Sequence, residues 1–462
     1  MGDLVNKIRG NLVWGLLALC IVYGLGFVCP LFSASERELQ TSIKEYEQKH
    51  SYDPYDENIR KQLSILYHNY SMELADQGLW DQAIENQKRA FDLEPDIEQI
   101  KNALAYLYNC RGLEFKDSGK YDSAIRDLKA AIDFNPEELV LKKNIAAVYL
   151  SWADDFFKEN EYSNAERMLV NVEHYDLDNP YLYVLKGEIA YVRDNYYSTK
   201  DNWQKALKLN PSLYQVRMKL EKLEKEQDLE RNFSVREIEN FKLKFEGIDT
   251  EGLADKAAEI LRNSYKQVGK DFDLYPRATV PVIIYPPVKL KKLDYFPDWA
   301  AGTYDGKIRF SEDLGKDYLQ MQAVLHHEYT HVIVRIIGGD NVPLWLNEGL
   351  AEFEAKQFKS AAIKKSRIEI IKRAIENKTI FPLDKLGSMD LSKLSYLSPN
   401  RIELVYAQSE AFVQYIINRS SLYDMKKLLE QLGKGTNVYK AVKDVLFVEL
   451  DVLERDWRNE YR

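Results

Sequence analysis

The residues best placed to do chemistry lie in Leu325-His326-His327-Glu328-Tyr329-Thr330-His331. This is an H-E-x-x-H pattern, and on a helix it is a mechanism as much as a string. At about 100° per residue, positions i and i+4 return to one face a turn apart, so the His327 and His331 imidazoles can reach one ion. Glu328, rotated by about 100°, can take a proton from a water on that ion without ligating it. Leu325, Tyr329, Val332 and Ile336 form the opposite, apolar stripe that buries such a helix. Three of the chain's six histidines crowd into residues 326–331, which chance placement does not explain. His326 points off the ligand face and reads as structural or supporting, with no chemistry assigned.

A catalytic metal needs a third protein ligand and an open position. Thiolates are excluded. Of three cysteines, Cys20 and Cys29 lie in an apolar N-terminal run and Cys110 stands alone in the rest of the chain. Carboxylates remain. Asp340 is one candidate, but a better one lies in Leu344-Trp345-Leu346-Asn347-Glu348-Gly349-Leu350-Ala351-Glu352-Phe353, a helix started after Pro343. A carboxylate on a helix is usually exposed. Here Trp345, Leu346, Leu350 and Phe353 imply a buried helix, and a buried carboxylate needs a partner. Glu348 is thus a better candidate for the third ligand than Asp340.

This pair of helices resembles the gluzincin zinc metallopeptidases. More narrowly, the W-L-N-E-G-L-A-E-F run resembles the peptidase-MA-like domains, with a likeness spanning residues 232–462. The resemblance implies zinc held by His327, His331 and Glu348, Glu328 as general base, and hydrolysis of peptide bonds. It also implies that Glu352, one turn after Glu348, orients a ligand histidine. By the same likeness Tyr406, in Val405-Tyr406-Ala407-Gln408-Ser409-Glu410-Ala411-Phe412, donates to a tetrahedral oxyanion. Both have plainer readings, as a solvated helix residue and as one of 31 tyrosines. The resemblance further implies that the Ala301–Phe310 hairpin offers an edge strand to a substrate backbone. The sequence has no Gly-x-Met-x-Asn strand, so aminopeptidase specificity is not implied.

These residues need elements to hold them. Asn240–Glu246 alternates apolar and polar residues as a half-buried strand does, and Val280–Tyr285 is a second strand. A helix is expected between them over Glu251–Val268, and Asp305-Gly306 marks a hairpin turn. Amphipathic helices over 362–377, 422–433 and 438–462 close the back. The expected fold of this part is α+β.

Upstream, Gly78-Leu-Trp80-Asp-Gln-Ala83, Gly119-Lys-Tyr121-Asp-Ser-Ala124 and Asn160-Glu-Tyr162-Ser-Asn-Ala165 repeat every 41 residues, and Ala90 and Pro95 match Ala131 and Pro136. A fourth unit ends with Trp203, Ala206, Asn210 and Pro211. The G-x-[YW]-x-x-A…A…P pattern resembles tetratricopeptide repeats, although the period is longer than theirs. An all-α solenoid follows, with a face expected to bind a protein or peptide. The rival reading is a spacer or self-association module. The charged stretch Met218–Arg231 reads as a capping helix with a solvated face.

The chain has 462 residues, 45% hydrophobic and 30% charged, which suits about three folded domains. A formal net charge of −9 without a dense basic run excludes an electrostatic footprint for nucleic acid. Leu12–Phe32 contains no charge, and as a helix it would span about 30 Å. A transmembrane anchor is expected, with a signal peptide cleaved near Ser33-Ala34-Ser35 as the alternative. Lys7 and Arg9 before the span suggest an N-terminus inside and the bulk of the chain extracytoplasmic. The expected fold class is therefore mixed: an N-terminal transmembrane helix within 1–35, a tetratricopeptide-type solenoid and linker helix over 51–231, and an α+β gluzincin-like domain over 232–462. The expected function is a membrane-anchored zinc metallopeptidase. Its rivals are an inert membrane-tethered scaffold and a zinc hydrolase of non-peptide substrates.

Overall fold

The computed structural model describes residues 36–247, 252–293, 296, 300–389, 394 and 396–461. They form two compact units. One runs up to Ala153 and takes in Arg167–Asp178, while the other holds Asp154–Glu166 and the chain from Asn179 onward.

The described residues of the first unit form helices: α1 (Glu36–Tyr52), α2 (Glu57–Asp76), α3 (Trp80–Leu93), α4 (Glu98–Asp117), α5 (Tyr121–Phe134) and parts of α6 (Leu139–Lys158) and α7 (Tyr162–Tyr175). The sequence repeat sets the reversals. Gly78, Gly119 and Asn160 adopt φ of 73°, 70° and 58°, a left-handed conformation open to glycine and tolerated by asparagine. The next helix then starts at Trp80, Tyr121 or Tyr162. Ala83, Ala124 and Ala165 are fully buried and let paired helices approach. Gly112 serves the same end, because a Cβ there would lie 3.0 Å from Leu128.

A fourth reversal falls at Asp194, with φ 54°, only 34 residues after Asn160. It joins α8 (Pro180–Val192) to α9 (Tyr196–Leu209), and the buried Thr199 takes the place of the alanine. Helix α10 (Tyr214–Glu230) follows. These three helices belong to the second unit, together with a five-stranded sheet in the order β1 (Phe233–Ile238), β2 (Phe241–Glu246), β3 (Val280–Tyr285), β5 (Ile308–Ser311), β4 (Gly302–Tyr304).

The β1–β2 and β4–β5 pairs are antiparallel, whereas β2–β3 and β3–β5 are parallel. Helix α11 (Leu253–Asp271) makes the β2–β3 crossover. The expected α+β layout is thus corrected to a partly α/β domain, because a helix long enough to return the chain makes neighbouring strands parallel.

Strand alternation gives the sheet two faces. Phe241, Leu243, Val282, Ile284, Ile308 and Phe310 enter the main core with α11, α12 (Tyr318–Gly338) and α13 (Leu344–Ala355). Behind them stand α14 (Ala361–Glu376), α15 (Pro399–Arg419), α16 (Leu422–Gly433), α17 (Val438–Leu446) and α18 (Leu450–Glu460). On the other face, Lys242, Lys244, Lys307 and Arg309 meet Asp194, Glu226 and Glu230 of the repeat helices and their turn. The solvated face expected for α10 is corrected here, since Glu226 and Glu230 are buried as partners of these cations.

The expected transmembrane helix over Leu12–Phe32 lies outside the described residues. Among the described residues, no helix is long and apolar enough to cross a membrane. The two longest, α12 and α15 at 21 residues each, carry His327, Glu328 and Arg335, and Glu403, Glu410 and Arg419, so their length serves packing and chemistry. The mixed fold class with a transmembrane helix is corrected to helical repeats followed by the partly α/β domain. The single-pass, extracytoplasmic localisation is corrected with it.

Candidate metal centre

Helix α12 starts at Asp317, whose carboxylate accepts from the Gln320 amide, and ends at Gly339 with φ 62°. It lies in the core between α11 and α13, with Leu325, Tyr329 and Val332 turned inward as their spacing requires. Pro343 starts α13, and Gly349 lets it press onto α15. A Cβ on Gly349 would sit 2.4 Å from Val413 and 2.5 Å from the Ser409 carbonyl oxygen. The result is a buried α13 that faces α12.

His327, His331 and Glu348 converge, with one donor atom of each within 4.8 Å of the others. The two Nε2 atoms are 3.0 Å apart, and Glu348 Oε2 lies 3.4 Å from that of His327 and 3.6 Å from that of His331. A tetrahedral ion with bonds of about 2 Å places its ligand atoms roughly 3.3 Å apart, so the triangle is the right size. Glu348 Oε2 is buried and has no hydrogen-bond partner. Two imidazole nitrogens and an orphaned carboxylate oxygen make a donor set that fits a divalent metal. Asp340 is not part of it and pairs with Arg335 at 3.2 Å.

The electrostatics agree. Burial pushes the His327 imidazole down to about 4, although Glu348 opposes this. Burial also works against a charged His331, but the Glu348 carboxylate outweighs it and raises that ring to about 9. Glu348 is held well below the usual carboxylate range by His331 and His327, against the effect of its burial. The carboxylate therefore stays ionised in a dry place beside positive charge, which His331 carries here and a divalent cation would supply in its stead.

Each histidine of the cluster is held from behind. Glu352 Oε1 lies 3.4 Å from His327 Nδ1, and Asn347 Oδ1 lies 3.0 Å from His331 Nδ1. Glu352 is gripped in turn by Lys359 and Arg367, and Arg367 also binds Glu410. These supports fix which ring nitrogen faces the cluster. Asn347, Arg367, Lys359 and Glu410 were not anticipated. Asn347 could have been suspected, because it stands beside Glu348 at the start of α13. Arg367 comes from α14, and nothing local marks it.

Glu328 is 5% exposed, and burial raises its carboxyl to about 8. Strand β4 lies against it, so that a Cβ on Gly302 would come 2.9 Å from Glu328 Oε1. Val324 would stand at 2.8 Å, so a side chain at this position would have to displace both neighbours. Tyr406 on α15 has its ring centroid 6.3 Å from that of His327. Burial, then Glu348 and Glu328, raise its hydroxyl well above the usual range, so it remains a donor. His326 faces away, with Nδ1 3.0 Å from Ser264 Oγ and Nε2 3.7 Å from Glu354.

Comparison with curated proteins finds no match. Among solved structures, a thermophilic TPR protein from Thermus thermophilus is similar at 18% identity, covering 40% of this chain and 90% of that one. Its TM-score of 0.19 is too low to carry a structural conclusion. A family model described as the Peptidase MA superfamily matches residues 269–462, a span holding the whole His–Glu cluster but neither β1 nor β2. The chain therefore carries a Peptidase MA superfamily domain over residues 269–462.

Proposed function

We propose that this chain is a zinc metallopeptidase that hydrolyses peptide bonds, with its catalytic part over 232–462 and its repeats over 51–231 serving to bind a protein or peptide. The observation that carries this reading is the triangle of donors from half-buried His327 and buried His331 and Glu348, within 4.8 Å of one another. Two histidines and a carboxylate, with no thiolate, suit zinc in a catalytic setting. When bound, zinc supplies Lewis acidity that makes water a nucleophile near neutral pH and polarises a carbonyl.

The remaining work falls to side chains. Glu328 accepts the proton of the attacking water and delivers a proton to the leaving amine. Beside a divalent cation its carboxylate ionises more readily than its raised pKa of about 8 would suggest. Tyr406 donates to the oxyanion of the tetrahedral state. Glu352 and Asn347 hold His327 and His331 in the ligating tautomer. Strand β4 offers its backbone to an extended peptide.

Two measurements test this together. The zinc-to-protein ratio by elemental mass spectrometry should be about one for the intact chain and fall towards zero for Glu348→Ala. Hydrolysis of a pool of internally quenched peptides should fall by about 10² to 10⁴ in Glu328→Gln, with zinc retained. A folded protein that takes up no zinc when supplied with it would overturn the proposal.

A further inference from the structure

The sheet that carries β4 has its second face covered by the last helices of the repeat region. Alternation along β5 sends Ile308 and Phe310 into the catalytic core and Arg309 the other way. The Arg309 side chain is fully buried, with Nη2 2.8 Å from Glu226 Oε1 of α10 and 3.1 Å from the Tyr191 hydroxyl of α8. Next to it Lys307 reaches Asp194 at 3.0 Å and Glu226 at 3.6 Å. Lys242 and Lys244 of β2 also reach Asp194, at 3.2 and 3.1 Å.

The turn of the β4–β5 hairpin is held in the same way. Asp305 is gripped by Arg309 from its own hairpin and by Lys222 from α10. Lys222 also stands 3.8 Å from Glu226. Gly306 takes φ 106° at the tip, where a Cβ would come within 3.8 Å of Val192 at the end of α8. Helix-borne charges thus fix both the turn and the back of a hairpin whose front is β4. Gly302 of β4 pairs with Phe310 and lies against Glu328. A chain of contacts runs from Lys222 through Asp305 and the hairpin to the general base.

We infer that the repeat helices α8–α10 belong to the catalytic machinery, with Lys222 and Asp305 as positioning residues that set strand β4 for substrate pairing. This rests on the metallopeptidase reading. Pairing to an edge strand depends on register and height to a fraction of an ångström, so a hairpin loosened at its turn loses peptide affinity while the metal ligands on α12 and α13 stay in place.

Two zinc-chelating probes separate these effects on the full-length, zinc-loaded chain. Acetohydroxamate engages the metal alone. A protected dipeptide hydroxamate engages the metal and lays a peptide along β4. In Lys222→Met, and in the milder Asp305→Asn, the dipeptide hydroxamate should bind about tenfold more weakly or worse, with acetohydroxamate unchanged. Lys222→Arg should restore the dipeptide probe. With a cleavable peptide from the quenched pool, the same variants should raise KM more than they lower kcat.

Equal weakening of both probes would show general damage and overturn the inference, as would an unchanged dipeptide affinity in both variants. Wild-type protein that takes up no zinc and binds neither probe would instead overturn the metal-centre reading, and this inference with it.

Discussion

At the scale of the residue, the cluster depends on its supporting partners as much as on its three donors. His327 and His331 each present Nε2 to the cluster because Glu352 and Asn347 occupy the opposite nitrogen. Glu352→Ala and Asn347→Ala should each weaken zinc binding by about 10- to 100-fold, as measured by competition with a chromophoric chelator. Equal affinity in both variants and wild type would show that packing alone orients the rings. His327, Glu328 and His331 were legible because their spacing is local, and Glu348 because apolar neighbours made its helix a buried one. Asn347 was not, since an asparagine near a helix start has ordinary capping reasons to be there. Arg367 was not either, because its partners Glu352 and Glu410 lie on two other helices.

At the scale of the element, Glu348 is placed by how closely α13 approaches α15. Gly349 makes that approach possible, since any Cβ there would meet the Ser409 carbonyl oxygen at 2.5 Å. Backbone cannot swing aside as a side-chain tip can. Gly349→Ala should therefore cost about 1–3 kcal/mol in urea unfolding and lower zinc occupancy, because relief requires α13 to shift with Glu348 on it. A variant with wild-type stability and full occupancy would show that α15 yields instead. The strands at 240–246 and 280–285 and the hairpin were readable from alternation and the Asp-Gly turn. Strand β1 was not: Val235 is an exposed apolar residue within a strand that buries no residue fully, and pairing with β2 is what defines it. The fourth repeat was read only from its end, because Asp194 and Thr199 replace the residues that mark the other copies.

At the scale of the whole molecule, the second unit is held by a buried cluster of acids and cations between repeat helices and sheet. Burial alone would raise the Asp194 carboxyl, but Lys307, Lys244 and Lys242 outweigh it and hold the group at about 2, against an ordinary 3.8. A carboxyl lowered on folding stabilises fully above its unfolded value, and that contribution disappears as pH falls from 3.8 towards 2. The amount is about 2 kcal/mol. Urea unfolding should thus weaken over that acidic window, and Asp194→Asn should remove this part of the slope while destabilising the protein at neutral pH. An unaltered pH profile would place the stabilisation elsewhere in the cluster. None of this was visible beforehand, since Lys242, Lys244 and Lys307 look like the wet side of half-buried strands until α8–α10 are laid on them. The placement of Asp194 also bears on how the chain can change in length. The equivalent turns at Gly78, Gly119 and Asn160 put glycine or asparagine where Asp194 stands, so among the described residues the carboxylate that meets Lys242, Lys244 and Lys307 belongs to the last copy. Whole 41-residue modules ahead of Asp154, where the second unit begins, could be inserted or excised without touching the partners of those lysines. The array is free to vary in number at one end, and its final module is not interchangeable with the rest.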